Sequence, residues 1–386
     1  MSKKQKRSAF PLNAARDVKF KAEVVKDGVR VIENIFIPLS DGTRLSARLW
    51  LPVDAENNPV PCVLEYIPYR KTDGTRGRDE PMHGYFARHG TAAIRVDQRG
   101  SGESDSLMED EYIKQEQDDA IEVIAWIAAQ KWCSGNVGMM GKSWGGFNCL
   151  QVAMRRPPAL KAVLSVCSTD DRYNDDIHYM GGNLLNDNLW WGAIMLAYQA
   201  RPLDPAIVGE RWRKDWLARI NHMPFFPALW MKHQHRDAYW REGSVAPRLG
   251  KFKAAVYSVG GWADYLSRAV PRILSQIPSP GRGLIGPGRN AEAPFSLDDF
   301  YYLARLMLVK DEAHYDKFDR AFASYFKGIA QLVELRPDIP LEWLKQRIER
   351  EFTPEEMAQI QALGGWDALM QRLKELLDTQ KERHEG

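Results

Sequence analysis

The chain has 386 residues, of which 44% are hydrophobic and 27% charged, the make-up of a water-soluble globular protein. A formal net charge of +2 gives no global field toward nucleic acid or an anionic membrane. No apolar run approaches the roughly 20 residues that span a bilayer, and no h-region follows the N-terminal charges, so a cytoplasmic protein is expected. The basic run MSKKQKR begins a solvated tail, 1–29. VIENIFI and LSARLWL flank SDGT and read as a hairpin. PCVLEYI and TAAIRVD read as buried strands, with a helical MHGYFARHG between them. EQDDAIEVIAWIAAQ is predicted helical, with Ala120, Val123, Ile124 and Ile127 on one face. NVGMMG is a strand, WGGFNCLQVAMRR a helix, and LKAVLSVC and FKAAVYSVGG are strands. This alternation predicts a mostly parallel α/β sheet covered on both faces. It lapses over about 169–245, which reads as a helical insertion capping the sheet.

The last part differs. Residues 291–386 carry 13 basic and 19 acidic side chains, against 40 and 32 in the other 290. SLDDFYYLARLMLV and TPEEMAQIQALGG have helical stripes and caps, so 296–386 is expected to be all-helical. Cys62, Cys133, Cys149 and Cys167 are widely spaced in or beside apolar segments. They read as buried free thiols rather than disulfides or zinc ligands.

Gly141-Lys142-Ser143-Trp144-Gly145 is a G-x-S-x-G pattern between a strand and a helix. A sharp strand-to-helix turn lifts a serine above a sheet, and the flanking glycines let the backbone pass close to its neighbours. Ser143 is therefore the expected nucleophile, and a serine needs a base. DQRGSGES, 97–104, reads as a structural glycine turn. Asp264, beyond the strand AAVYSVG, is placed either to orient a histidine or to cap the helix that follows. No histidine follows the strand GRGLIGP; the loop is Gly288-Arg289-Asn290. His314 and His384 read as exposed helix residues, and no other histidine stands in triad order. If a substitute base exists, His178 in the cap is the first candidate. Asp170, Asp171, Asp175 and Asp176 read as solvated loop carboxylates and helix caps.

These segments together resemble the cocaine-esterase and X-Pro dipeptidyl-peptidase family of α/β-hydrolases over about 30–287. The likeness rests on DGTRLSARLWLP, EYIPYRKTDGT, RVDQRGSGES, GKSWGGFN, CSTDDRY, HYMGGNLLNDNL and GGWAD. It implies an α/β-hydrolase sheet with a helical cap, folded over 30–290, and no cofactor or metal. It also implies cleavage of ester or amide bonds in small molecules or short peptides, with Ser143 as nucleophile and Asp264 as acid. Tyr69 and the backbone N–H of Trp144 would form the oxyanion hole. In the amino-acid ester branch, acidic residues such as these four aspartates bind a substrate ammonium group.

Two departures accompany the resemblance. Asn290 falls where the family has its histidine, and an amide cannot accept and return a proton at neutral pH. The family's β-sandwich is missing. In its place 296–386 resembles the helical part of CoxE-like von Willebrand factor A proteins. The chain reads as a composite joined near 287–296, with a possible protein partner for the helical segment. The function expected is a serine hydrolase impaired by its missing histidine; the alternative is an inactive hydrolase-fold binding module.

Overall fold

A computed structural model describes the protein over residues 23–286. The helical region 296–386, the join near 287–296 and Asn290 lie outside the described residues. The chain begins with β1 (Glu23–Lys26), β2 (Val29–Pro38), β3 (Arg44–Pro52) and β4 (Val60–Ile67). Then come α1 (Arg76–Arg88), β5 (Ala92–Asp97), α2 (Lys114–Ala128), β6 (Cys133–Lys142), α3 (Trp144–Arg155) and β7 (Leu160–Val166). The insertion holds the small hairpin β8 (Tyr179–Met180) and β9 (Asn183–Leu184), followed by α4 (Asp187–Gln199) and α5 (Pro205–Val208). It continues with α6 (Trp212–His222), α7 (Phe226–Trp230) and α8 (Ala238–Gly243). The described part closes with β10 (Ala255–Gly261), α9 (Ala269–Leu274) and β11 (Gly281–Gly286).

Nine strands form one sheet in the order β1-β2-β3-β5-β4-β6-β7-β10-β11. The first three join antiparallel, and every pairing from β5 to β11 is parallel. A parallel sheet needs crossovers that cover its faces. The α2 face does this: Ala120, Val123, Ile124 and Ile127 are all fully buried, as their spacing predicts. The central strands are largely buried; β5 is buried at every residue, its Arg95 and Asp97 included. All four cysteines are free and buried.

Among the boundaries that differ from the sequence reading, three have a plain cause. Residues 23–26, assigned to the tail, form β1 and pair with β2. The helix read from Met82 starts at Arg76, because its first half is polar and carries no apolar stripe. The strand read from Phe252 starts at Ala255, because residues 246–251 form a 3-10 turn just before it. No helix among the described residues is long and apolar enough to cross a membrane.

Candidate active site

Parallel strands present their carboxyl ends at one edge of the sheet, where α/β proteins place their sites. Lys142 pairs with Val166, and Val166 with Val259, so the ends of β6, β7 and β10 stand side by side. Ser143 follows β6 and Asp264 lies three residues beyond β10. Ser143 has φ 55° and ψ −115°, a conformation that costs a non-glycine residue on the order of 1–3 kcal/mol. Two hydrogen bonds hold it there. Its N–H donates to Val166 O at 2.9 Å, and its carbonyl accepts from Phe147 N–H at 2.9 Å. The glycines answer a steric need: a Cβ on Gly141 would lie 2.5 Å from the Gly145 carbonyl carbon, and one on Gly145 would lie 2.7 Å from Ile67 Cγ2. The turn DQRGSGES is structural as expected: Gly100 N–H donates to Asp105 O at 3.0 Å and Ser104 Oγ–H to Asp97 O at 2.7 Å.

Asp264 is buried. Its Oδ1 accepts Leu266 N–H at 3.1 Å, and its own N–H donates to Gly261 O at 2.9 Å. It caps a local turn rather than α9, which begins five residues later at Ala269. Its Oδ2 is buried without a hydrogen-bond partner among the described residues. Cys167, just after β7, lies against Asp264; burial first, and then that carboxylate, push its thiol up to about 12.

On the other side of β6, Tyr69 follows β4. Its ring is edge-on to Trp144, with centroids 6.3 Å apart and planes at 84°. Burial holds the phenol far above its ordinary range, so it keeps its proton and can donate it in a hydrogen bond. Trp144 is the first residue of α3, and its backbone N–H has no intrahelical acceptor.

Sequence and fold comparisons show the family and the fold. A family described as X-Pro dipeptidyl-peptidase (S15 family) matches residues 41–291. The chain belongs to that family. Cocaine esterase of Rhodococcus sp. (strain MB1 Bresler) is 27% identical over 342 residues, covering 80% of this chain and 58% of the esterase. A CocE/NonD family hydrolase from Staphylococcus aureus has a similar fold at TM-score 0.58 and 19% identity, over 74% of this chain and 52% of its own. An α-amino acid ester hydrolase gives TM-score 0.51 at 21% identity, over 73% and 52% of the two chains. The chain thus spans about half the length of these three relatives.

In this S15-family chain the cap is fastened by a buried ion cluster that the sequence did not reveal. Glu111 accepts hydrogen bonds from Arg172, from His178 Nε2 and, at 3.0 Å, from Trp191 Nε1. His178 Nδ1 meets Asn188 Oδ1 at 2.7 Å. Both ring nitrogens of His178 are therefore engaged and the residue is fully buried, which removes it as a substitute base. The four cap aspartates are also buried, against the expectation of solvated carboxylates. Asp170 pairs with Arg272, Asp171 with Arg236, and Asp175 with Arg268 and Arg272. Asp176 alone keeps an oxygen without a partner among the described residues, and burial pushes its carboxyl up to about 7.

Glu65, Asp79 and His83 bring metal-ligand atoms within 4.8 Å of one another. Arg78 already donates to both carboxylates, at 2.7 and 2.6 Å, and Arg95 Nε lies 3.3 Å from Asp79. Two guanidinium groups thus balance two carboxylates, and a metal ion would have to displace them.

Proposed function

We propose that the protein is a serine acyl hydrolase acting on small esters, amides or short peptides through an acyl-enzyme. Ser143 Oγ attacks the acyl carbon, and its proton leaves to a base. The C–O bond to the enzyme forms, and the alcohol or amine departs with a proton. Water then cleaves the acyl-enzyme by the same steps. Tyr69 O–H and Trp144 N–H face the developing oxyanion, a contribution worth about 10²–10³ in rate per donor in such enzymes. Asp264 would orient the imidazole and stabilise its charged form.

The observation that carries this reading is the pairing of a strained elbow serine with an open acceptor. Ser143 sits at φ 55°, and at the same edge of the sheet Asp264 Oδ2 is buried with no N–H or O–H donor among the described residues, only the weakly donating Cys167 thiol beside the carboxylate. An imidazole N–H is the group that would fill that acceptor. In this chain Asn290 stands at the family's histidine position, so Ser143 lacks an efficient proton acceptor and turnover is slow. Among the cap aspartates, Asp176 is best suited to an ammonium-bearing acyl group. Its charge reaches Tyr265, beside Asp264.

A fluorophosphonate probe followed by peptide mass analysis tests the reading. Slow labelling confined to the peptide bearing Ser143, and lost in Ser143→Ala, is expected. No labelling at all would leave an inactive hydrolase-fold binding module as the better account. p-Nitrophenyl acetate turnover at the usual rates of roughly 1–1000 per second would contradict the missing base.

A further inference from the structure

Glu116, in the first turn of α2, is buried directly behind the elbow. Its Oε1 accepts Trp144 Nε1–H at 2.8 Å, Gln98 Nε2–H at 2.8 Å and Asn148 Nδ2–H at 3.3 Å. Its Oε2 accepts Tyr112 N–H at 2.9 Å. Four donors and no ion pair among the described residues surround it. Such a cage suits a carboxylate, because a protonated carboxyl would set its own O–H against one of the four N–H groups. The Trp144 indole that Glu116 holds is one of two that flank Tyr69. The other is Trp191, whose ring stands 6.2 Å from Tyr69 at 81° and whose Nε1–H is held by Glu111.

We propose that Glu116 is a titratable positioning residue: ionised, it pins Trp144 against Tyr69 and fixes the first turn of α3; protonated, it weakens its hold on them. The consequence for chemistry rests on the reading of Tyr69 and Trp144 as oxyanion donors. The brace itself does not.

Electrostatics places the switch near neutrality. Burial pushes the Glu116 carboxyl up to about 7, against the opposing pull of Trp144, Asn148, Tyr112 and Gln98. The titratable groups around it do not supply a compensating cation. Tyr66 faces it from β4 with a buried, unpartnered hydroxyl. Asp119, one turn along α2, is taken by Arg99, which also reaches Asp41. Tyr112, before α2, stays protonated through burial and the charges of Glu111 and Asp176. A crevice of about 20 Å³ beside Tyr66, Gln98, Asp119 and Glu116 is large enough for one water, which gives a proton a route to the carboxylate.

The test is an indole N–H titration of the full chain labelled with ¹⁵N-tryptophan, with the Trp144 signal assigned by Trp144→Phe. The signal should move with a midpoint of about 7 and stop moving in Glu116→Gln. If that variant does not fold, Gln98→Ala serves instead: it removes one donor to the ionised form, so the midpoint should rise. A Trp144 signal that does not titrate, or a midpoint unchanged by Gln98→Ala, overturns the proposal. Fluorophosphonate labelling across the same pH range separates the two readings. If Ser143 labels in no variant, the nucleophile reading fails while the indole titration still decides the brace.

Discussion

Glu111 and Glu116 lie five residues apart, both are buried, and each holds a tryptophan against Tyr69. Their surroundings drive them in opposite directions. Glu111 meets His178 and Arg172, whose positive charges hold it down at about 2 despite the opposing effect of burial. Glu116 meets only neutral donors, and burial takes it up to about 7. At Glu116 burial outweighs the four hydrogen bonds that favour its charged form, and no cation adds to them. The cap is therefore fastened by a permanent charge, whereas the elbow is braced by one that neutral pH can remove.

Removing the permanent charge should have the largest effect. Glu111→Gln leaves Arg172 and His178 buried without their anion, and loss of one partner from a buried pair costs about 3–5 kcal/mol. Urea unfolding should show this, and a loss below about 1 kcal/mol would mean that the cap does not depend on the cluster.

The next effect is in the pH dependence of stability. Glu111 sits below the usual 4.5 in the fold, so the unfolded chain binds its proton more readily. Its contribution is fully present above 4.5 and is lost as pH falls toward about 2. Glu116 sits above 4.5, so its contribution is present below 4.5 and is lost as pH rises through about 7. Each swing is at most on the order of 3 kcal/mol. Glu116→Gln should flatten the stability profile between 4.5 and 7 while leaving the acid limb alone. An equal change in both limbs would break the contrast.

Tyr69 stands between the two tryptophans; its ring serves packing, and in the proposed site its hydroxyl serves chemistry. Tyr69→Phe should lower the Ser143 labelling rate about 100-fold with little change in the urea midpoint. A large loss of stability with unchanged labelling would make Tyr69 a packing residue only. The smallest effect is expected at Cys167, whose thiol touches Asp264. Cys167→Ser should change stability by less than about 1 kcal/mol and leave labelling within a few-fold. A loss of labelling would place the thiol in the site.

The parts of the fold with a period were legible in the sequence. The α2 stripe, the apolar strands and the strand-serine-helix turn follow from spacing and from the glycine contacts at Gly141 and Gly145. β1 was not legible, because four residues of mixed polarity carry no period and are fixed only by pairing with β2. The cap cluster was hidden for a different reason. Glu111, Arg172 and His178 are separated by 61 and 67 residues, and polar residues in loops give no sign of their partners. Glu116 did leave a signal. It lies four residues before Ala120 and so belongs to the buried face of α2, where a carboxylate needs a cage. Asp264 was legible as a candidate by position, but its open oxygen is visible only in three dimensions.

The central claim is that Ser143, Tyr69, Trp144 and Asp264 form a site short of one proton acceptor. The most direct measurement is the fluorophosphonate labelling rate at mildly alkaline pH for four proteins: the parent, Asn290→His, Gly288→Trp with Asn290→His, and Asn290→His with Ser143→Ala. At least one of the first two histidine variants should label faster than the parent, and the Ser143→Ala protein should not label. If neither labels faster while circular dichroism shows the fold intact, position 290 does not supply the missing base and the account of this site is wrong.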